Sequence, residues 1–318
     1  MPHVMVRQIL QELWLKYWCK IMFSISLLEA VEQKVISSIN GGRIDYDSPT
    51  TIVWHPYVSG YIGLYTGESW TLVTPSPTSS GIVSFDLTTD TDIRGNAIAV
   101  NTQYDVYARY LSADNFKLDL VSWSAPNHRG YTTGLQDNIF VHGTDHTRRY
   151  LGVVRTISDS GPKFVDSDTQ RFVCNFTNRI MRYVRTYNSG TGDWTPNSSG
   201  GWKEFNFGTN QVRGEFLYLR SDEVLLGADQ GLSPNVYTGS NNSLVALALN
   251  ENSALSMSPP LYVKSGRNSS NSTSFPTGFF GSARLGYNYI TELISTYVSN
   301  PFNTGGGLRS GGYLIIYV

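Results

Sequence analysis

Residues 148–185 read RRYLGVVRTISDSGPKFVDSDTQRFVCNFTNRIMRYVR. Two runs rich in β-branched and aromatic residues, 149–156 and 171–178, flank a polar connector that contains Gly161-Pro162. Both runs have the composition of sheet rather than helix. In the first, Tyr150, Val153 and Val154 break strict alternation, which predicts a strand buried on both faces or bulged. The densest basic cluster of the chain also falls here: Arg148, Arg149, Arg155, Arg171, Arg179, Arg182 and Arg185. Side chains alternate along a strand, so this cluster is expected to divide between faces.

The same pattern extends in both directions. Upstream, short strand patterns occur at 51–54, 61–65, 69–73, 81–87, 97–100 and 104–111. Residues 116–121 alternate cleanly and predict a strand with one wet face. The stretch 41–49 reads as a linker. Downstream, strand patterns follow at 202–207, 213–219, 224–226, 241–252, 275–280 and 286–298. Polar loops are expected at 188–201, with Trp194 at the tip, and at 265–274, and a Gly-rich turn at 304–312. The final residues 313–318 are wholly apolar and must be buried, as a central strand or against another subunit.

Of 318 residues, 15% are charged, and the chain uses 20 Tyr and 30 Gly. Such a low charge content fits an all-β protein with neutral surfaces and polar turns. The net charge of −1 argues against a nucleic-acid binder that works by neutralising phosphates. Only Cys19 and Cys174 are present, so there is no disulfide framework and no cysteine metal signature. Buried free thiols made in a reducing compartment are the expectation.

The first 40 residues differ from all that follows. Trp14, Trp18, Ile21, Ile25, Leu28 and Val35 fall at alternating steps of four and three, with Glu32 as the one polar interruption, the spacing of a heptad, and Gly41-Gly42 ends the pattern. Glu12, Lys16 and Lys20 interrupt the apolar run, which disfavours a signal peptide and a membrane span. The remaining readings are an amphipathic helix that associates with copies of itself, one that docks on a neighbouring protein, and one packed on the β-domain.

Candidate chemistry is sparse. His142, Asp145 and His146 lie within five residues and could share a metal, yet Gly143-Thr144-Asp145 is ordinary turn chemistry. Asp86, Asp90 and Asp92 resemble a calcium loop without its glycine and final glutamate. Glu204, Glu215, Asp222 and Glu223 are the carboxylates that could cleave a glycoside, but no hydrolase or nucleotide motif supports them. Trp194, and after it Trp202, are the residues assigned to stacking on a sugar ring or inserting into a partner.

A resemblance adds to this reading. The motifs Tyr104-Asp105-Val106-Tyr107, Leu118-Asp119-Leu120, Leu135-Gln136-Asp137, RRYLGVVRT (148–156), RFVCNFTNR (171–179) and Gly286-Tyr287-Asn288-Tyr289-Ile290 resemble a β-rich domain of bacteriophage virion proteins. Such domains belong to tail-fibre and minor structural proteins, and the likeness spans residues 46–318. It implies a non-enzymatic virion component without cofactor, assembled in the host cytoplasm. It also implies a homotrimer that meets other virion proteins through its helix and a glycan or protein on the host surface. The expected fold is all-β: residues 1–42 form an amphipathic α-helix that anchors or oligomerises. Residues 43–318 form a β-sandwich or jelly roll, with room for two lobes.

Overall fold

The computed structural model describes residues 2–75, 81–190, 193–194, 202–204, 211–219, 224–230, 243–250, 264–266, 276–296, 302–303 and 308–318. One helix, α1 (Pro2–Ser38), precedes a body made of strands. The helix stops at Ser38, just short of Gly41-Gly42, as the sequence suggests.

The first part of the body contains β1 (Gly42–Ser48), β2 (Thr51–Pro56), β3 (Ile62–Tyr65), β4 (Trp70–Val73) and β5 (Val83–Asp86). It continues with β6 (Gln103–Ser112), β7 (Asn115–Ser122), β8 (Thr133–Gln136), β9 (Ile139–His142) and β10 (Asp145–Ser158). Next come β11 (Pro162–Phe164), β12 (Gln170–Arg171) and β13 (Val173–Asn175). The antiparallel sheet β1-β2-β5 packs over the sheet β7-β6-β10-β9-β8, to which β11 and β13 add on β10. Ile44, Ile52, Trp54 and Phe85 from one layer meet Val106, Ala108, Leu118, Leu120, Leu151 and Val154 from the other.

The second part contains β14 (Met181–Gly190), β15 (Asp193–Trp194), β16 (Trp202–Glu204), β17 (Gln211–Val212) and β18 (Gly214–Tyr218). It goes on through β19 (Val224–Gln230), β20 (Ser243–Leu249), β21 (Lys264–Gly266) and β22 (Pro276–Ser282). It ends with β23 (Gly286–Thr296), β24 (Phe302–Asn303) and β25 (Leu308–Tyr317). The sheets β12-β18-β23-β20-β21 and β17-β14-β25-β19-β22 share a second core of Val184, Phe216, Tyr218, Ile290, Leu314 and Ile316. The protein is an all-β sandwich preceded by a helix.

The strand β10 belongs to both cores. Leu151 and Val154 face the first, Val153 the second, and Tyr150 packs with Tyr107 and Val121 in a third group. A bulge against β6 lies between Tyr150 and Gly152, so the chain exchanges faces there. Burial on both faces and a bulge, both read from the broken alternation, are therefore present together.

Four local expectations change. Residues 41–49 are not a linker, because Ile44 and Tyr46 alternate within the Gly- and Asp-rich run and form β1 along β2. The Asn175 amide fixes that strand by accepting from Ile44 N at 2.7 Å and donating to Ile44 O at 2.8 Å. Residues 97–100 form no strand. The stretch 188–190, expected as the start of a polar loop, is strand, since β14 runs to Gly190 against Leu308 to Ser310 of β25. For the same reason the Gly-rich turn expected at 304–312 is already strand from Leu308. The apolar C-terminal run lies, as expected, in a central strand, with β14 on one side and β19 on the other.

Candidate functional site

Among the described residues, the helix meets the body near its C-terminal end. Gln33 exchanges two hydrogen bonds with the Trp70 backbone, at 2.5 and 3.2 Å. Arg149 forms the root of this contact. It is 4% exposed, and its Nη1 donates to Ser37 O, Ile39 O and Gly63 O at 2.7–2.9 Å. These carbonyls include the negative end of the helix dipole, which serves as the counter-charge of a buried cation. Burial draws the pKa of Arg149 down to about 10, so it stays charged at neutral pH.

Above this root the helix stands in solvent. Trp14 is 62% exposed and Leu28 68%, and Trp18, Ile25 and Val35 are exposed with them. These are five of the six heptad positions; the side chain of Ile21 lies outside the described residues. Trp14 and Trp18 touch, with ring centroids 5.4 Å apart. Leu15, Tyr17, Met22, Leu27 and Val31 are exposed as well, so apolar surface extends beyond the heptad seam. Large apolar side chains gain about 1.5–3 kcal/mol each on burial, and a patch of this extent marks an interaction surface. No helix among the described residues is long and apolar enough to cross a membrane.

The second feature is a charged layer on the outer face of β6, β7 and β10. The wet face expected along 116–121 is wet only at its start, because Asp119 and Val121 are buried. Asp119 accepts from Arg148 Nε at 2.8 Å and forms ion pairs with Arg109 Nε at 2.9 Å and Lys117 Nζ at 3.0 Å. Arg148 also pairs with Asp145. Beside them Asp105, 2% exposed, takes Arg129 Nε at 3.1 Å, and Arg129 Nη2 donates to Tyr150 Oη at 2.7 Å. Burial pushes the Asp105 carboxyl up, and the Arg129 charge and the Trp123 indole N–H oppose that rise. Arg129 stacks between Trp123 and Tyr150, 5.2 and 5.1 Å from their ring centroids. These pairs tie neighbouring strands of one sheet, β6, β7 and β10, to each other and to the loop after β7.

The residues singled out in the sequence go to separate tasks. His142 is buried against Tyr107 and Tyr131 and contacts Thr144 through Nδ1; burial and the Arg148 charge lower its pKa. His146 Nδ1 meets Gln136 Oε1, and Asp145 is shared by Thr147 and Arg148. The three are thus not assembled around a common point, and no metal-binding group of three appears among the described residues. Asp86 and Asp92 accept from nearby backbone N–H groups, and Asp90 accepts from Asp86 N, as in capped turns.

Glu215 accepts from Gln170 Nε2 at 2.7 Å and from the Tyr287 hydroxyl. Glu204 lies in β16, with its side chain outside the described residues, as Asp222 and Glu223 are altogether. Trp194 sits in β15 paired to Phe302, and Trp202 in β16 paired to Ser295, so both are placed in strands by their backbone. The side chains of both, like that of Cys19, lie outside the described residues. Cys174 is buried.

The basic cluster divides as alternation requires: Arg148 to the outer layer, Arg149 to the helix, Arg155 to Tyr287, and Arg171 to Tyr183 O and Asp166. Arg149, Asp105 and Asp119 were not singled out for a role. A charged residue set inside an apolar strand, as in Leu118-Asp119-Leu120, is the signal that marks two of them.

Comparisons with known proteins add little. No family model matches the chain, and no curated protein does. Among solved structures, an insecticidal delta-endotoxin, Cry8Ea1 from Bacillus thuringiensis, aligns at a TM-score of 0.26 and 9% identity. The alignment covers 89% of this chain and 54% of the toxin, about half its length. A likeness of that degree carries no argument about fold or function.

Proposed function

We propose that this chain is a structural component of a phage virion, a tail-fibre, spike or head-fibre protein that assembles through its N-terminal helix. One observation carries the reading: an apolar helix rooted on the β-body at Arg149 and exposed along the rest of its described face. A helix of this kind is marginal alone in water and needs a cover. Copies of the same helix supply one through the heptad positions Trp14, Trp18, Ile25, Leu28 and Val35, in a homotrimer. The β-body, through the surface that carries β15 with Trp194 and β16 with Trp202, then meets a glycan or protein on the host.

A second reading, a capsid, cement or decoration protein of the shell, is favoured by the apolar residues off the seam. Leu15, Tyr17 and Leu27 would need further neighbours, as a lattice provides.

The test is mass spectrometry of virions purified from the virus that encodes the chain, followed by gold-labelled antibody to the body. Label confined to fibres or tails supports the first reading, and label over the whole shell the second. Absence of the chain from virions would remove both.

A further inference from the structure

The body exposes a band of large apolar side chains where the helix enters it. Tyr57, Val58 and Tyr61 lie on the turn between β2 and β3 and are exposed, Val58 at 75%. The turn is tied to the foot of the helix. Tyr57 N, Val58 N and Ser59 N all donate to Gly41 O at 2.7–3.0 Å, and Gly41 N donates to Tyr61 O at 2.8 Å. The approach is close, since a Cβ at Gly41 would lie 2.5 Å from Ser59 O. Four backbone bonds to one residue hold the turn in a single shape while its large side chains stay in solvent.

The band continues on β14 and β25. Met181 pairs with Tyr317, and Tyr183 with Ile315. Val184, Leu314 and Ile316 fill the second core, so alternation puts Met181, Tyr183 and Tyr317 on the opposite face, where all three are exposed. Tyr183 packs edge-on against Tyr313, with ring centroids 5.8 Å apart. The two halves of the band join at the foot of the helix. Asn178, three residues before Met181, donates from Nδ2 to Asn40 O and to Gly42 O, each at 2.7 Å. Arg43 lies 5.5 Å from the Tyr57 ring centroid and donates to Asn178 O at 3.5 Å. This arginine is buried and ion-paired with Asp45, so the join carries no free charge of its own. Tyrosine and methionine around a neutralised centre are the composition of a protein–protein contact.

We infer that this band is the contact between the bodies of neighbouring copies of the chain. The inference rests on the helix-driven assembly proposed above. Copies joined along Leu28 and Val35 bring their bodies together at the feet of their helices, and the band begins there, continuous with the helix seam. In a closed ring of three, each body meets two neighbours through two different patches. The β2–β3 turn and the β14–β25 face supply two.

Light scattering of the full chain over a dilution series tests the inference by reading the concentration at which the assembly falls apart. Val58→Asp and Met181→Asp place a charge on each half of the band, at exposed positions that neither core uses, and circular dichroism checks that both variants fold. Each should raise the dissociation concentration at least tenfold. Leu28→Asp on the helix seam should raise it too, and Leu111→Asp, exposed outside the band, should leave it unchanged. If Leu28→Asp acts and the band variants do not, the contact between bodies is refuted and the helix assembly stands. If the band variants act and Leu28→Asp does not, the band joins the copies and the helix reading falls. An equal effect of Leu111→Asp would overturn the inference, and a monomeric full chain would overturn both.

Discussion

Arg149 is one residue whose loss touches both the helix and the body. Its Nη1 donates to three carbonyls, of which Ile39 O also accepts from Gly63 N at 2.9 Å. Arg149→Met keeps the stem but withdraws the donor from Ser37 O and Gly63 O, and it should cost about 3 kcal/mol in urea unfolding. Trypsin should then cut faster at Lys34, the last basic residue of the helix. Asp166 makes the pH-dependent counterpart. Burial pushes its carboxyl up to about 6 from 3.8, against the pull of Arg171 and Arg182. Between those values the folded chain holds a proton that the unfolded chain has lost. Its stabilisation is complete below about pH 4 and disappears as pH rises through 6. Asp166→Asn should flatten that fall and raise stability at pH 7 by about 1–3 kcal/mol, measured as urea midpoints from pH 4 to 7.

At the scale of elements, β10 carries the architecture, and its bulge is the sensitive point. A Cβ at Gly152 would lie 2.2 Å from Cys174 O, a backbone atom that cannot step aside alone. Gly152→Ala should therefore destabilise the fold by about 2–4 kcal/mol, read as a lowered urea midpoint. The importance of this strand was legible, because Tyr150-Leu151-Gly152-Val153-Val154 breaks period two where a strand serves two cores. The helix was legible from its heptad steps and its glycine stop. By contrast, β1 was hidden, since Gly41, Gly42, Asp45 and Asp47 read as linker while Ile44 and Tyr46 supply the alternation. The ends of β14 and β25 were hidden too, because Asn188, Ser189, Ser310, Gly311 and Gly312 pair across a ladder that only the fold assembles. The Asp119 layer was invisible for a related reason: its three basic partners come from β6, β7 and β10, and sequence spacing does not show which strands are neighbours.

At the scale of the molecule, two cores share one strand, so the two parts of the body should unfold together. Calorimetry should show a single endotherm, and two separated endotherms would contradict the shared strand. The central claim concerns the helix, whose apolar length requires company. The direct test is solution mass by light scattering on the full chain and on a chain beginning at Glu29. The shorter chain keeps Gln33, Ser37 and the Arg149 root and removes the exposed segment through Leu28. A trimer that falls to a monomer on this truncation is the predicted result. A full chain that stays monomeric, or a trimer unchanged by the truncation, would contradict assembly through the helix.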